Sequence, residues 1–302
     1  NIAVSVVQLG SRLMERQIDS LAAELLLEFI EEFDIAVYLN DQLQSVRFEE
    51  ATETLSIQFR SGKVIPANAL VYAVGTRPNI EFAVSAGVES GRGIVVNDNL
   101  QSSDPNIFAI GEIAEHRGNM LGITAAAEKQ ADVLARFLLG DVQSMYHGTV
   151  PMNILKLSGL HLCSIGIPEI PADGQGYEEI LFVDRTQRYY KKCIIRDDRL
   201  VGAILIGDKT EFAEFKQLIE DGLELSERRL QLLRSGTSAP PVMGKLVCSC
   251  NQVGSGNIEQ IIASGCHTLS DICKRSGAGL GCGSCKPEIQ AILHTRNVNV
   301  GA

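Results

Sequence analysis

The chain has 302 residues, enough for two or three domains that each bury a core, with 45% hydrophobic and 21% charged residues and a formal net charge of −10. This is the make-up of a soluble globular protein. The acidic balance without a basic stretch excludes nucleic acid as a partner and better fits a basic docking surface on another protein. No run of about 18 apolar residues is present to span a membrane.

From the start, Asn1–Val7 is apolar and β-branched, with no basic leader and no small-residue cleavage site, so it reads as a strand. With no export signal, the eight cysteines are expected to be metal ligands or buried thiols, and the chain cytoplasmic. The missing initiator Met suggests a piece of a longer protein, which leaves a leader upstream open. Arg16–Phe33 places Ile18, Leu21, Ala22, Leu25, Leu26, Phe29 and Ile30 at helical spacing. Ile35–Leu39 is expected as a strand, and Val46–Phe48 with Leu55–Phe59 as a pair closed at Ser61–Lys63. Buried strands are expected at Ala69–Val74 and Asn106–Ile110, then a helix over Ala125–Leu139 stopped by Gly140. Such alternation predicts a layered α/β domain over 1–145.

After Pro151 the pattern changes. Short strands are expected at Ile154–Leu157, Leu160–Ile165 and Ile180–Asp184. A hairpin, Arg188–Ile195 with Leu200–Ile206, turns at Arg196–Arg199, and a helix over Glu211–Glu220 stops at Gly222. This predicts a smaller α+β domain over 150–235, with linker composition at Gly236–Pro241. Lys191-Lys192 and Arg228-Arg229 are expected on solvated faces. Helices are expected at Asn257–Ser264, at Leu269–Arg275 behind a Thr268/Asp271 capping box, and at Glu288–His294.

The last 58 residues hold six of the eight cysteines. Cys248 and Cys250 form a Cys-x-Cys pair. After 31 residues, Cys282 and Cys285 form a Cys-x-x-Cys pair among Gly279, Gly281 and Gly283. Residues two apart on an extended chain face one side, so the first pair can aim both sulfurs at one centre. The second pair precedes Pro287, which suits the first turn of a helix, where backbone N–H groups are free. Three readings are open: buried or disulfide-bonded thiols, a structural zinc site, and an iron–sulfur cluster. Residues 246–293 resemble the [2Fe–2S] domain of the bacterioferritin-associated-ferredoxin (BFD) type, and this resemblance implies that all four cysteines are its ligands. Cys163, Cys193, Cys266 and Cys273 are expected to be structural thiols.

Ser103–Glu112 reads as a strand ending in Gly111-Glu112, where a glycine allows close backbone approach and a carboxylate can accept a ribityl or ribose hydroxyl. By itself such a pair is more often a tight turn. Together with the apolar run ending in Gly75-Thr76-Arg77-Pro78-Asn79, it resembles the two-dinucleotide-binding flavoproteins of the NADH:rubredoxin reductase kind. That resemblance implies Gly75 near the nucleotide edge and Gly111 and Glu112 at FAD, with Glu112 in place of the family's Asp. It also implies that 150–235 covers the flavin and builds an interface, hence a possible homodimer. His116 reads as a surface or interface residue. Arg12–Asp19 and Gly111–Gly118 resemble the flavin part of assimilatory NAD(P)H nitrite reductases and the electron-transfer subunit of assimilatory nitrate reductases.

The expected fold class is therefore a partial FAD/NAD(P)-binding α/β region, a small α+β domain and a helical BFD-like [2Fe–2S] domain at 245–295. Electrons would pass from NAD(P)H through FAD to the cluster and on to a terminal nitrite or nitrate reductase domain or subunit. The alternatives are an electron-transfer component of another oxidase or reductase, and a zinc-binding module. Neither Gly-x-Gly-x-x-Gly fingerprint is present, which fits a piece whose fingerprints lie upstream. Gln8-Leu9 stands where an acid would select NADH, and Arg12 is a candidate for a 2′-phosphate.

Overall fold

The computed structural model describes residues 2–226, 229–232 and 241–299. It divides into two compact units, Asn1–Val74 with Leu155–Gly236, and Gly75–Ile154 with Thr237–Ala302.

In the first unit, Ser5–Val7 pairs in parallel with Ala36–Tyr38, and the helix Ser20–Glu31 lies between them in sequence. The helix starts later than its periodicity suggests because Asp19 ends the preceding turn and caps it, accepting the Ala22 N–H at 2.9 Å. Its buried stripe is Ala22, Ala23, Leu25, Leu26 and Phe29. Leu43–Glu49, Thr54–Phe59 and Val64–Ala67 form an antiparallel three-stranded sheet, one strand more than expected.

A five-stranded sheet follows, in the order Tyr177–Asp184, Tyr189–Arg196, Arg199–Ile206, Leu160–Gly166, Met152–Leu157. The expected hairpin is present, and Asp197 and Asp198 both adopt positive φ (50° and 56°). That is the turn geometry whose twist matches the flanking strands. The helix Phe212–Asp221 ends at left-handed Gly222, as the sequence suggested.

Lys191 and Lys192 are not on solvated faces. They are neighbours on a central strand, so they point to opposite sides of the sheet, and both sides are covered. Lys191 is fully buried and donates to both Glu211 carboxylate oxygens at 2.7 Å. Lys192 donates to Asp19 Oδ2 and pairs with Glu179, each at 2.8 Å, and the Tyr190 hydroxyl donates to the same Asp19 oxygen at 2.6 Å. Arg229 pairs with Glu178; Arg228 and the expected linker at 236–240 lie outside the described residues.

In the second unit, Ile94–Val96 pairs in parallel with Ala114–His116, and the helix Thr124–Leu138 follows. The C-terminal part has a small ladder, Leu246–Cys248 against Val253–Gly254, and helices Ser255–Ala263, Leu269–Ser276 and Lys286–Asn299. Thr268 caps the second helix through the Asp271 N–H, as predicted. Ile258, Ile272, Ala278 and Ile289 are fully buried at its core.

Two expected strands are not found. Residues 69–74 join no ladder among the described residues, and Val71 and Val74 stand exposed. An apolar run becomes a strand only where another backbone accepts its N–H and C=O groups. Residues 106–110 instead fold back on 100–102: the Ser102 N–H bonds the Ile107 carbonyl and the Ala109 N–H bonds the Leu100 carbonyl. Pro105 and an Asp104 side chain holding the Asn106 N–H at 2.8 Å make that turn.

Candidate metal centre

The four predicted cysteines come together from two loops. Cys248 ends its strand, Cys250 lies in the turn after it, and Cys285 directly precedes the helix Lys286–Asn299. The Asn251 side-chain amide donates to the Gly277 carbonyl and ties the first loop to the end of the helix Leu269–Ser276. Gly281 permits the approach of the two loops, since a Cβ there would stand 3.3 Å from Cys250 Cβ. The Cys250 thiol reaches Cys282 Sγ at 3.3 Å. Cys248 hydrogen-bonds both Cys250 and Cys285, so the sulfurs form one continuous set. Cys248, Cys250 and Cys285 are buried, while Cys282 is half-buried, and its sulfur is 3.0 Å from Ser284 Oγ.

The contact with Cys248, together with burial, pushes the Cys250 thiol up to about 12. The hydrogen bond from Cys248 holds Cys285 below its ordinary value against burial. The Cys250 contact pulls Cys248 down, yet its bond to Cys285 and burial leave it raised. Backbone N–H groups of Gly279, Asn251 and Cys282 also point at these sulfurs. Buried thiols ringed by N–H donors suit thiolates that neutralise a bound cation. A [2Fe–2S] cluster takes two thiolates on each of two irons, and these four sulfurs with their N–H donors match that donor set.

The other predicted site residues lie in the same unit. Gly75 is exposed with φ of 89°, and Gly111 has φ of 78°, both in the region that favours glycine. The Thr76 hydroxyl donates to Glu112, so the structure joins two motifs that lie far apart in sequence. The buried Gln130 side chain accepts the Gly111 N–H at 2.6 Å and fixes that turn to the helix Thr124–Leu138. Sequence reasoning missed Thr76 and Gln130, although a glutamine on the apolar stripe of a helix was a usable signal.

His116 is not at the surface. It is buried against the Tyr146 ring at 4.9 Å, with Nε2 2.8 Å from Asp98 Oδ1. Hydrogen bonds from Arg117 and His116 bring the Asp98 carboxyl down to about 2. Arg12 is engaged within its own unit, by Ser20 at 3.0 Å and Glu169 at 2.9 Å. Cys163 and Cys193 are fully buried in the five-stranded sheet, and burial raises both thiols, Cys193 to about 12.

Three family models match in chain order: pyridine nucleotide-disulphide oxidoreductase over 1–131, the rubredoxin NAD+ reductase C-terminal domain over 151–223, and the BFD-like [2Fe-2S] binding domain over 246–295. The chain thus joins a pyridine nucleotide-disulphide oxidoreductase region to a C-terminal BFD-like [2Fe-2S] binding domain. These matches imply FAD and NAD(P)H for the first region and an iron–sulfur cluster for the last. A nitrite reductase [NAD(P)H] of Bacillus subtilis is 35% identical over 97% of this chain and 37% of its own length. The assimilatory nitrate reductase electron transfer subunit of the same organism is 34% identical over 96% of this chain and 38% of its own. The chain thus spans well under half of these relatives. The crystal structure of the NADH:rubredoxin oxidoreductase from Clostridium acetobutylicum superposes with a TM-score of 0.51 at 27% identity, over 72% of this chain and 52% of that one. No described helix is long and apolar enough to cross a membrane.

Proposed function

We propose that this chain passes electrons from NAD(P)H through FAD to a [2Fe–2S] cluster, in service of a terminal nitrite or nitrate reductase domain or subunit in the cytoplasm. The convergence of Cys248, Cys250, Cys282 and Cys285 carries the reading. These four thiolates would hold the cluster, with 245–295 as its domain. Residues 1–145 would form the flavin and nucleotide side and 150–235 the covering domain, through which the chain would pair with a second copy. A flavin and a [2Fe–2S] cluster together supply the change from two-electron to one-electron transfer. Glu112, oriented by Thr76, would accept a hydroxyl of the flavin's sugar chain, and Gly111, held by Gln130, would leave room for it. Gly75 would lie at the nucleotide edge. The two relatives' names supply the nitrite and nitrate link.

Purification without air tests the proposal. The expected product is brown, contains iron and sulfide in equal amounts, and bleaches with dithionite. A colourless protein with stoichiometric zinc overturns it.

A further inference from the structure

The loop that carries Cys282 is flanked on its outer side. A Cβ built on Gly281 would stand 2.7 Å from Ile154 Cδ1, and Ile154 is itself packed against the apolar core of the C-terminal helices. Two residues on, a Cβ on Gly283 would lie 3.7 Å from Glu128 Oε1. Lys286, next to the ligand Cys285, donates to Glu128 Oε2 at 2.6 Å. Glu128 belongs to the helix Thr124–Leu138, whose Gln130 holds the Gly111 N–H and whose Ala127 lies 3.9 Å from a Cβ position on Gly111. One helix therefore touches both the cysteine loop and the Gly111–Glu112 turn.

We infer that the Glu128–Lys286 pair and the Ile154–Gly281 contact form a docking seat that fixes the cysteine loop relative to the Gly111–Glu112 turn. The inference rests on the function proposed above, for which the seat would set the separation of the two redox groups. Glu128, Lys286 and Ile154 are positioning residues. An exposed ion pair alone shifts a docking equilibrium by at most about fivefold. Ile154 has apolar area to lose, and its truncation is worth about tenfold.

Hydrogen exchange on the air-free protein, followed over 124–138 and 279–286, provides the test. Lys286→Glu and Glu128→Lys should each speed exchange in both segments by about two- to fivefold. The double swap should restore it, and Ile154→Ala should speed it by about tenfold. The same variants should keep their iron while NADH bleaches them more slowly. One NADH oxidised to NAD+ releases a proton and two electrons, which two one-electron reductions consume. Unchanged exchange in Ile154→Ala and in both single reversals overturns the seat, as does a double swap that fails to restore it. Iron content and NADH-driven bleaching of the unsubstituted protein judge the proposed function separately, and the exchange pattern decides the seat whichever way they come out.

Discussion

The five-stranded sheet and the C-terminal helices both bury groups that water would otherwise stabilise, but they compensate for this differently. In the sheet, every buried charge meets its opposite: Lys191 has Glu211, and Lys192 has Asp19 and Glu179. In the C-terminal region, the four clustered thiols have backbone N–H groups and one another. A set of thiolates in that position lacks a positive charge, whereas the sheet is complete as it stands. The contrast teaches that a buried polar network closed on itself belongs to stability, while one left open marks a ligand.

The largest expected effect breaks the open network. Cys250→Ala removes a sulfur in contact with two others and should abolish iron binding. Cys163→Ala, in the sheet, should leave iron content unchanged. Iron analysis after air-free purification checks both, and loss of iron in the Cys163 variant would show that the sheet thiol had been misassigned.

Next comes the closed network. Lys192→Met leaves the Asp19 carboxylate buried with only two neutral donors, the Tyr190 hydroxyl and the Ala22 N–H, and should destabilise the first unit by about 3–5 kcal/mol. Asp19→Asn added to it should recover part of the loss, the sign of a coupled pair. Burial would raise the Asp19 carboxyl, but hydrogen bonds from Lys192, Tyr190 and the Ala22 N–H outweigh it and hold it below its ordinary value. Its contribution is therefore present above about pH 4 and lost as pH falls through its lowered folded value. Burial would lower Lys192, but Asp19 and Glu179 outweigh it and raise the amine, so its share is present below about pH 10 and lost as pH rises through the folded value. Urea unfolding across that range should show the plateau, and Lys192→Met should lose it.

These two networks were legible in the sequence to different degrees. The cysteine spacing names its own chemistry because ligands must converge, and Thr268, Gly222 and the Asp197-Asp198 turn act through backbone within a few residues. Lys191 and Lys192 gave no such local sign. Two adjacent lysines look solvated until both faces of their strand are known to be covered, and the covering helices lie elsewhere in the chain. Residues 69–74 fail for the same reason in reverse, since their hydrophobicity says nothing about a pairing backbone. Thr76 and Gln130 likewise take meaning only from the loops that they join.

The smallest expected effect sharpens the comparison at one atom. Cys282 is the half-buried member of the thiol set, and Ser284 Oγ lies 3.0 Å from its sulfur. When Cys282 is a thiolate it has no proton to give, so the serine hydroxyl must donate. A donor to a ligand sulfur favours the more negative, reduced state, so Ser284→Ala should move the cluster's midpoint potential downward. The scale is roughly 40 mV for each kcal/mol by which that hydrogen bond differs between the two oxidation states. Ser284→Thr keeps the hydroxyl and should stay near the parent value. Spectroelectrochemical titration reads the shift directly. An unchanged potential in Ser284→Ala, with iron content intact, would mean that the hydroxyl faces solvent in the loaded site and that the backbone N–H groups alone tune it.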